Sequence, residues 1–204
     1  MKKTLPEIVN ELNQQSGYEN MPSLIFITDQ KAQPYPEQII DKLPKGAMVI
    51  LRDYDHKNRE ELAEALAHIC KQKGIKFFVA GDLLLTLKLK ADGIHLPQFM
   101  IGELAMIKRE HPDIIVSVSC HDIKAVNLAE QNGADLILAA PVFATKSHMN
   151  TFKDTNLTLG IEGLKQICAG CKIPVYALGG INAETATDLK HTGVTGIAAI
   201  RGFS

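Results

Sequence analysis

Short, largely apolar runs rich in β-branched residues recur along this chain between longer stretches with helical periodicity, and that alternation limits its folds more than any other feature. The runs are Leu24–Asp29, Met48–Asp53, Lys76–Asp82, Gly93–Pro97, Ile114–Cys120, Asp135–Val142, Val175–Gly179 and Gly196–Gly202. A continuously apolar strand must be covered on both faces, which implies a parallel sheet wrapped by helices. Arg59–Lys73 is the clearest helical stretch: Leu62, Ala65, Leu66 and Ile69 share one face, Asn58 stands at the N-cap position and Gly74 ends it. Further helical patterns run from about Gly102 to Glu110, Ile123 to Asn132, Ile161 to Ala169 and Ala183 to Lys190. Eight strands of this kind close into a (β/α)8 TIM barrel of the α/β class. An open, doubly wound sheet is the alternative, weakened because no G-x-G-x-x-G follows the first strand.

The 204 residues suit one barrel domain across 1–204, with residues 1–21 as a helical extension. No outer helix is expected after the eighth strand, while Leu5, Ile8, Val9 and Leu12 form a helical stripe ahead of the first. That leading helix is expected to cover the gap, unless a partner subunit of a homodimer does. Hydrophobic residues make up 46%, enough for a sizeable core, and 22 basic against 23 acidic residues give a formal charge of −1. No basic stripe marks a nucleic-acid partner. The start, MKKTLPEIVNELNQQ, lacks the apolar stretch of a signal peptide, and no run of about 18 apolar residues offers a membrane span. A cytoplasmic protein is expected. Of the four cysteines, Cys168 and Cys171 form a lone C-x-x-C at a helix end. A zinc site wants a second pair and a redox pair wants a helix start, so ordinary thiols are expected.

In such barrels the chemistry sits at the carboxyl ends of the strands. Those positions hold Asp29, Arg52 with Tyr54, Asp82, His95, Ser119 with His121, the segment Thr145-Lys146-Ser147-His148, Gly179-Gly180 and Arg201-Gly202. The glycine pair allows backbone N–H groups close to an anion, in the loop region where barrels often hold phosphate; a tight strand-to-helix turn is the plainer alternative. Asn182 is placed to cap the next helix. Arg201 offers a fixed charge and a fork of donors. Ile50, Arg52 and Tyr54 alternate, which puts them on one face of the second strand. An inward Arg52 needs an anion or a carboxylate such as Asp29 or Asp82. His95 reads equally as a hydrogen-bonded core residue or a catalyst. The loop from Ala144 to Leu159, with Lys146, Ser147 and His148, is a candidate lid.

Three segments, A-D-G-I-H-L, G-A-D-L-I-L-A-A-P-V-F-A-T-K-S and I-P-V-Y-A-L-G-G-I-N, in this order and spacing resemble the thiamine phosphate synthase and thiazole tautomerase superfamily from Leu24 to Ile200. The resemblance implies a transferase of thiamine biosynthesis that joins a thiazole phosphate to a hydroxymethylpyrimidine diphosphate, with Mg²⁺ helping pyrophosphate to leave. Such an ionising step needs positive charge around the leaving group. Carried over position by position, the resemblance makes Arg52, Lys146, His148 and Ser119 catalytic. It gives Tyr54, His95, Thr145 and Ser147 to the substrate and Gly179, Gly180, Ile181 and Arg201 to its phosphate. Asp82 becomes the Mg²⁺ ligand.

The match is lopsided. In the family's Q-x-R-x-K motif this chain has Ile50 and Tyr54 around Arg52, and Gly81 replaces the asparagine of N-D. Met100 stands near the second metal-binding aspartate, and Pro141 replaces the tautomerase histidine. The chain looks like a divergent branch with an R-x-Y strand and a P-V-F-x-T-[RK]-S-H loop. Besides the transferase, the pattern leaves open a thiazole phosphate tautomerase using His95 or His148, and a non-catalytic barrel that binds thiamine phosphate.

Overall fold

A computed structural model describes residues 3–145, 149–154 and 157–202. Lys146, Ser147 and His148 therefore lie outside the described residues. Eight parallel strands close on themselves in sequence order: β1 (Leu24–Ile27), β2 (Met48–Leu51), β3 (Lys76–Ala80), β4 (Gly93–Leu96), β5 (Ile115–Cys120), β6 (Leu136–Ala139), β7 (Val175–Leu178) and β8 (Gly196–Ala199). The closing pair runs β1 to β8, with Ile25 opposite Ala198. Each apolar run in the sequence is a strand, but most end two or three residues earlier than composition suggests. The polar residues beyond each ladder are loop, which is what places them on a rim.

Outside the barrel lie α1 (Leu5–Gln15), α2 (Pro36–Ile40), α3 (Arg59–Lys73), α4 (Leu83–Leu89), α5 (Leu104–Glu110), α6 (Ile123–Gln131) and α7 (Gly160–Gly170). The stretch from Gln98 to Glu103 is a 3₁₀ turn leading into α5, and the helix expected after β7 is a single 3₁₀ turn, Thr185–Leu189. The leading helix is built as its stripe requires. A capping box joins Thr4 and Glu7 at its start, and Leu5, Ile8, Val9 and Leu12 are all buried. α1 packs on β8 and on the 185–189 turn, where the outer layer is thinnest. Asn13 fixes it there, its side-chain amide donating to the Thr195 carbonyl at 3.1 Å.

Alternation along each strand divides the core in two. One layer lies between sheet and helices; the other fills the barrel with Ile25, Ile27, Met48, Ile50, Phe78, Leu136, Leu138, Tyr176 and Ala198. Gly93 has an inward role: a Cβ there would come 2.6 Å from the Phe78 ring, so the glycine is the space the ring occupies. At the amino-terminal end the Tyr176 hydroxyl donates to the Pro22 carbonyl at 2.7 Å, satisfying a fully buried phenol. Toward β4 and β5 the interior turns polar, with His95, Ser117 and Ser119.

Candidate active site

At the carboxyl ends of β6, β7 and β8 a cavity of about 630 Å³ opens, lined among others by Arg52, Thr145, Gly179, Gly180, Ile181 and Arg201. A groove of about 720 Å³ also exists at the opposite end, by α3 and the starts of β3 and β4. It carries no convergence of the rim residues, and parallel barrels work from the carboxyl face, so the first cavity is the candidate site.

Its floor on the β7 side is glycine for a steric reason. Gly179 and Gly180 have φ of +100° and +68°, and added Cβ atoms would meet Pro141 at 2.9 Å and the Ala144 carbonyl at 2.5 Å. The chain after β6 lies directly against the pair, its Val142 and Phe143 amides donating to the carbonyls of Leu178 and Gly179 at 2.9 and 3.1 Å. The carbonyls are thus spent on the neighbouring loop. The amides of Gly180 and Ile181 find no acceptor among the described residues, although both residues line the cavity. The tight turn demands the glycines, and it leaves these two amides without an acceptor among the described residues. Asn182 caps the 185–189 turn, its Oδ1 accepting from the Glu184 and Thr185 amides at 2.8 and 3.1 Å. Thr185 and Asp188 also line the cavity, neither of them singled out by the sequence. Arg201 is exposed at the mouth, beyond the end of β8.

Across the cavity the charges are paired. Arg52 lies past the end of β2, its amide bonded to Thr28 Oγ1 at 3.0 Å and its guanidinium paired with the Asp29 carboxylate. This is the carboxylate partner that an inward arginine requires, and the guanidinium still reaches the cavity wall. The alternation that placed Tyr54 beside it does not continue, because β2 ends at Leu51. Tyr54 is instead 48% exposed, with its ring 5.6 Å from the Arg59 guanidinium carbon and close above Gly81.

Arg59 carries no sequence signal beyond its place at the start of α3. It donates to Asp82 Oδ2 at 3.2 Å and to the Ala80 carbonyl at 2.6 Å. Asp82 also caps α4 by accepting from the Leu85 amide at 2.9 Å. Both carboxylate oxygens are therefore engaged. Met100 occupies the neighbouring position, its sulfur 3.5 Å from the point a Cβ on Gly81 would take, and thioether suits Mg²⁺ poorly. Among the described residues no group of three His, Cys, Asp or Glu side chains could hold a metal. This donor set does not fit the Mg²⁺ that the resemblance implies at Asp82.

His95, at the end of β4, is 4% exposed and lies below the site rather than in it. Its Nδ1 is 2.9 Å from Ser117 Oγ and its Nε2 is 2.9 Å from Ser119 Oγ. Burial, with a smaller push from Arg52, lowers its pKa to about 3, so the ring is neutral throughout the physiological range. The expectation that His95 itself touches substrate meets this burial; Ser119, bonded to its Nε2 and two residues beyond Ser117 toward the carboxyl end of β5, is half-buried. His121 is turned outward from this group, its Nδ1 2.6 Å from the Ala140 carbonyl. The four cysteines are free thiols, Cys70 and Cys120 buried and Cys168 and Cys171 half-buried, with Cys70, Cys120 and Cys168 pushed up to about 12 by burial.

Comparison with known proteins points to one family. The family described as thiamine monophosphate synthase matches residues 24–203. A putative thiamine-phosphate synthase 2 of Aquifex aeolicus is 35% identical over 188 residues, covering 90% of this chain and 98% of that protein. The thiamine-phosphate synthase of Pyrococcus furiosus is 35% identical over 185 residues, covering 89% and 86%. Among solved structures, the thiamine phosphate pyrophosphorylase from Pyrococcus furiosus superposes with a TM-score of 0.74 at 29% identity, covering 92% of this chain and 88% of that one.

Proposed function

The chain belongs to the thiamine monophosphate synthase family, and from that premise we propose that it joins a thiazole phosphate to a hydroxymethylpyrimidine diphosphate with release of pyrophosphate. One observation carries the reading: Gly180 and Ile181, whose amides have no acceptor among the described residues, line a cavity that Arg201 also lines. A phosphate ester seated there accepts from the two amides and meets a guanidinium, and such charge-assisted bonds are the strong ones. Thr145 flanks the same cavity, and Arg52 faces it from across the barrel.

In this reading the seat at β7 and β8 anchors the thiazole phosphate and fixes its ring nitrogen over the centre of the barrel. Holding two reactants in line contributes through orientation rather than through a strong base. Arg52 supplies positive charge toward the departing pyrophosphate, with Lys146 and His148 as further contributors from the loop. Ser119, at the top of β5, takes the pyrimidine. No step is assigned to Mg²⁺, because the Asp82 carboxylate already holds Arg59 and the Leu85 amide.

A second reading has an observation of its own. The Arg52–Asp29 and Arg59–Asp82 ion pairs form without any ligand, with Arg59 Nε buried and unbonded among the described residues, and these pairs favour a barrel that binds thiamine phosphate without making it. One experiment separates the two. Folded protein is mixed with both substrates, with and without Mg²⁺, and thiamine phosphate is followed by fluorescence after oxidation; the same preparation is titrated with thiamine phosphate by calorimetry. Product above background supports the transferase. Saturable binding without product supports the carrier, and neither would remove the phosphate seat itself.

A further inference from the structure

Aliphatic and aromatic side chains fill most of the barrel interior, and the polar patch beneath the site breaks that pattern at β4 and β5. His95 and Ser117 are directly opposed in the register, and Ser119 lies two residues further along the same face. We propose that Ser117 and His95 act as positioning residues that commit the Ser119 hydroxyl hydrogen downward, so that Ser119 meets the substrate as a hydrogen-bond acceptor. The inference rests on the transferase reading for the identity of that substrate, but its structural half does not.

The direction comes from counting hydrogens. Ser117 Oγ has two neighbours, the Ile94 carbonyl at 3.4 Å and His95 Nδ1 at 2.9 Å. With the Ser117 hydroxyl donating to the Ile94 carbonyl, its oxygen is left to accept from Nδ1–H; the reverse arrangement, Ser117 donating to a bare Nδ1, gives the opposite tautomer and is what the test below distinguishes. A neutral imidazole has one N–H, and with that hydrogen on Nδ1, Nε2 is a bare acceptor. The group placed to donate to it is the Ser119 hydroxyl, 2.9 Å away. Ser119 then has only lone pairs to offer upward. The ring stays neutral because it is buried, feels the positive charge of Arg52 and hydrogen-bonds to two serines rather than to a carboxylate.

An acceptor at this point selects a nitrogen heterocycle that carries an amino or ring N–H, and it disfavours an oxygen lone pair in the same place. Under the transferase reading that heterocycle is the pyrimidine, so the chain Ser117–His95–Ser119 orients the pyrimidine ring and leaves the phosphate seat alone.

The test measures the tautomer and its consequence separately. In protein labelled with ¹⁵N histidine, the His95 signals, assigned by their loss in His95→Asn, are expected to show a protonated Nδ1 and an unprotonated Nε2. The reverse pattern overturns the inference, whether or not the protein turns over substrate. Ser117→Ala frees the ring to flip; kcat is expected to fall about five- to tenfold, the worth of one hydrogen bond, with KM for the thiazole phosphate unchanged. Ser117→Thr, which keeps the hydroxyl, is expected to restore both tautomer and rate. A Ser117→Ala variant that is folded, keeps Nδ1–H and turns over at the parental rate removes the role assigned to Ser117. Absence of turnover in the parent protein, with the expected tautomer present, sinks the transferase reading and leaves the orientation of Ser119 standing.

Discussion

At the ends of β7 and β8 two backbone amides find no acceptor among the described residues, whereas at the ends of β1 to β3 two arginines have closed on carboxylates. Gly180 and Ile181 present amides without acceptors among the described residues. Arg52 is held by Asp29, and Arg59 by Asp82 and the Ala80 carbonyl. The difference separates two uses of polar groups at a rim. Donors whose partners must come from outside make a binding site; donors satisfied from within make a frame. Under the proposed function one side of this barrel receives an anion, while the other holds its own arginines in place.

Breaking the open side is expected to have the largest effect. Gly180→Ala puts a Cβ 2.5 Å from the Ala144 carbonyl on a residue at φ +68°. Strain of about 1–3 kcal/mol must be relieved by moving the turn, and the turn is what aims the two amides. Affinity for a thiazole phosphate, or for thiamine phosphate, should fall about a hundredfold by calorimetry. Parental affinity in folded Gly180→Ala would mean that the phosphate sits elsewhere.

The next effect lies at the junction of the two sides. His95 takes up its proton only near pH 3 in the folded chain, against about 6.5 when unfolded. Between those values the unfolded state binds the extra proton, so this residue's contribution is intact above about pH 6.5 and is lost as pH falls toward 3. Between pH 6 and pH 4 the loss should be about 2–3 kcal/mol. Urea unfolding of the parent and of His95→Asn at both pH values checks it: the parent should weaken on acidification by that much more than the variant. Equal pH dependence would mean that the ring is not buried as a neutral group.

The division between an open and a closed side also marks what can be read from residue order. All eight strands and the covering role of α1 are legible, because burial on two faces and a helical stripe both leave periodic traces. α2 and α4 are not. Five residues opening on Pro36 are too few for a period, and LLLTLKL is nearly apolar all round, so it carries no face. At the site, Asp29, Arg52, Asp82, His95, Ser119 and the glycines are legible as strand-end residues. Their pairings are not: Arg59 is 23 residues from Asp82 on a different element, and the parallel pairing of β2 with β3 is what brings them together. The amides at Gly180 and Ile181 announce themselves through glycine, while Thr185 and Asp188 enter the cavity from a turn that sequence periodicity reads as an ordinary helix.

A smaller effect tests whether the closed side is a frame or a metal site. Asp82→Ala removes the cap of α4 and leaves Arg59 without its carboxylate, which should cost about 1–2 kcal/mol in urea unfolding. Pyrophosphate affinity should respond to Mg²⁺ equally in the parent and in Asp82→Asn. A Mg²⁺ enhancement that disappears in Asp82→Asn would reassign Asp82 as a ligand and require Arg59 to swing away on binding.

The smallest effect is expected at Tyr54, and it is informative because it is small. The ring stands over Arg59 at 5.6 Å and is half exposed, a geometry worth about 0.5–1 kcal/mol. If Tyr54 only shields that guanidinium, Tyr54→Leu should lose no more than this in stability, because leucine covers the arginine without offering a π face. Affinity for the phosphate ester, held on the far side of the cavity, should then be unchanged. Tyr54→Phe keeps the face and removes the hydroxyl, so it should match the parent in both measurements. A Tyr54→Phe variant that binds the pyrimidine diphosphate several-fold more weakly would show the hydroxyl acting on substrate. That would turn this corner of the closed side into part of the site and narrow the contrast to the Arg59–Asp82 pair alone.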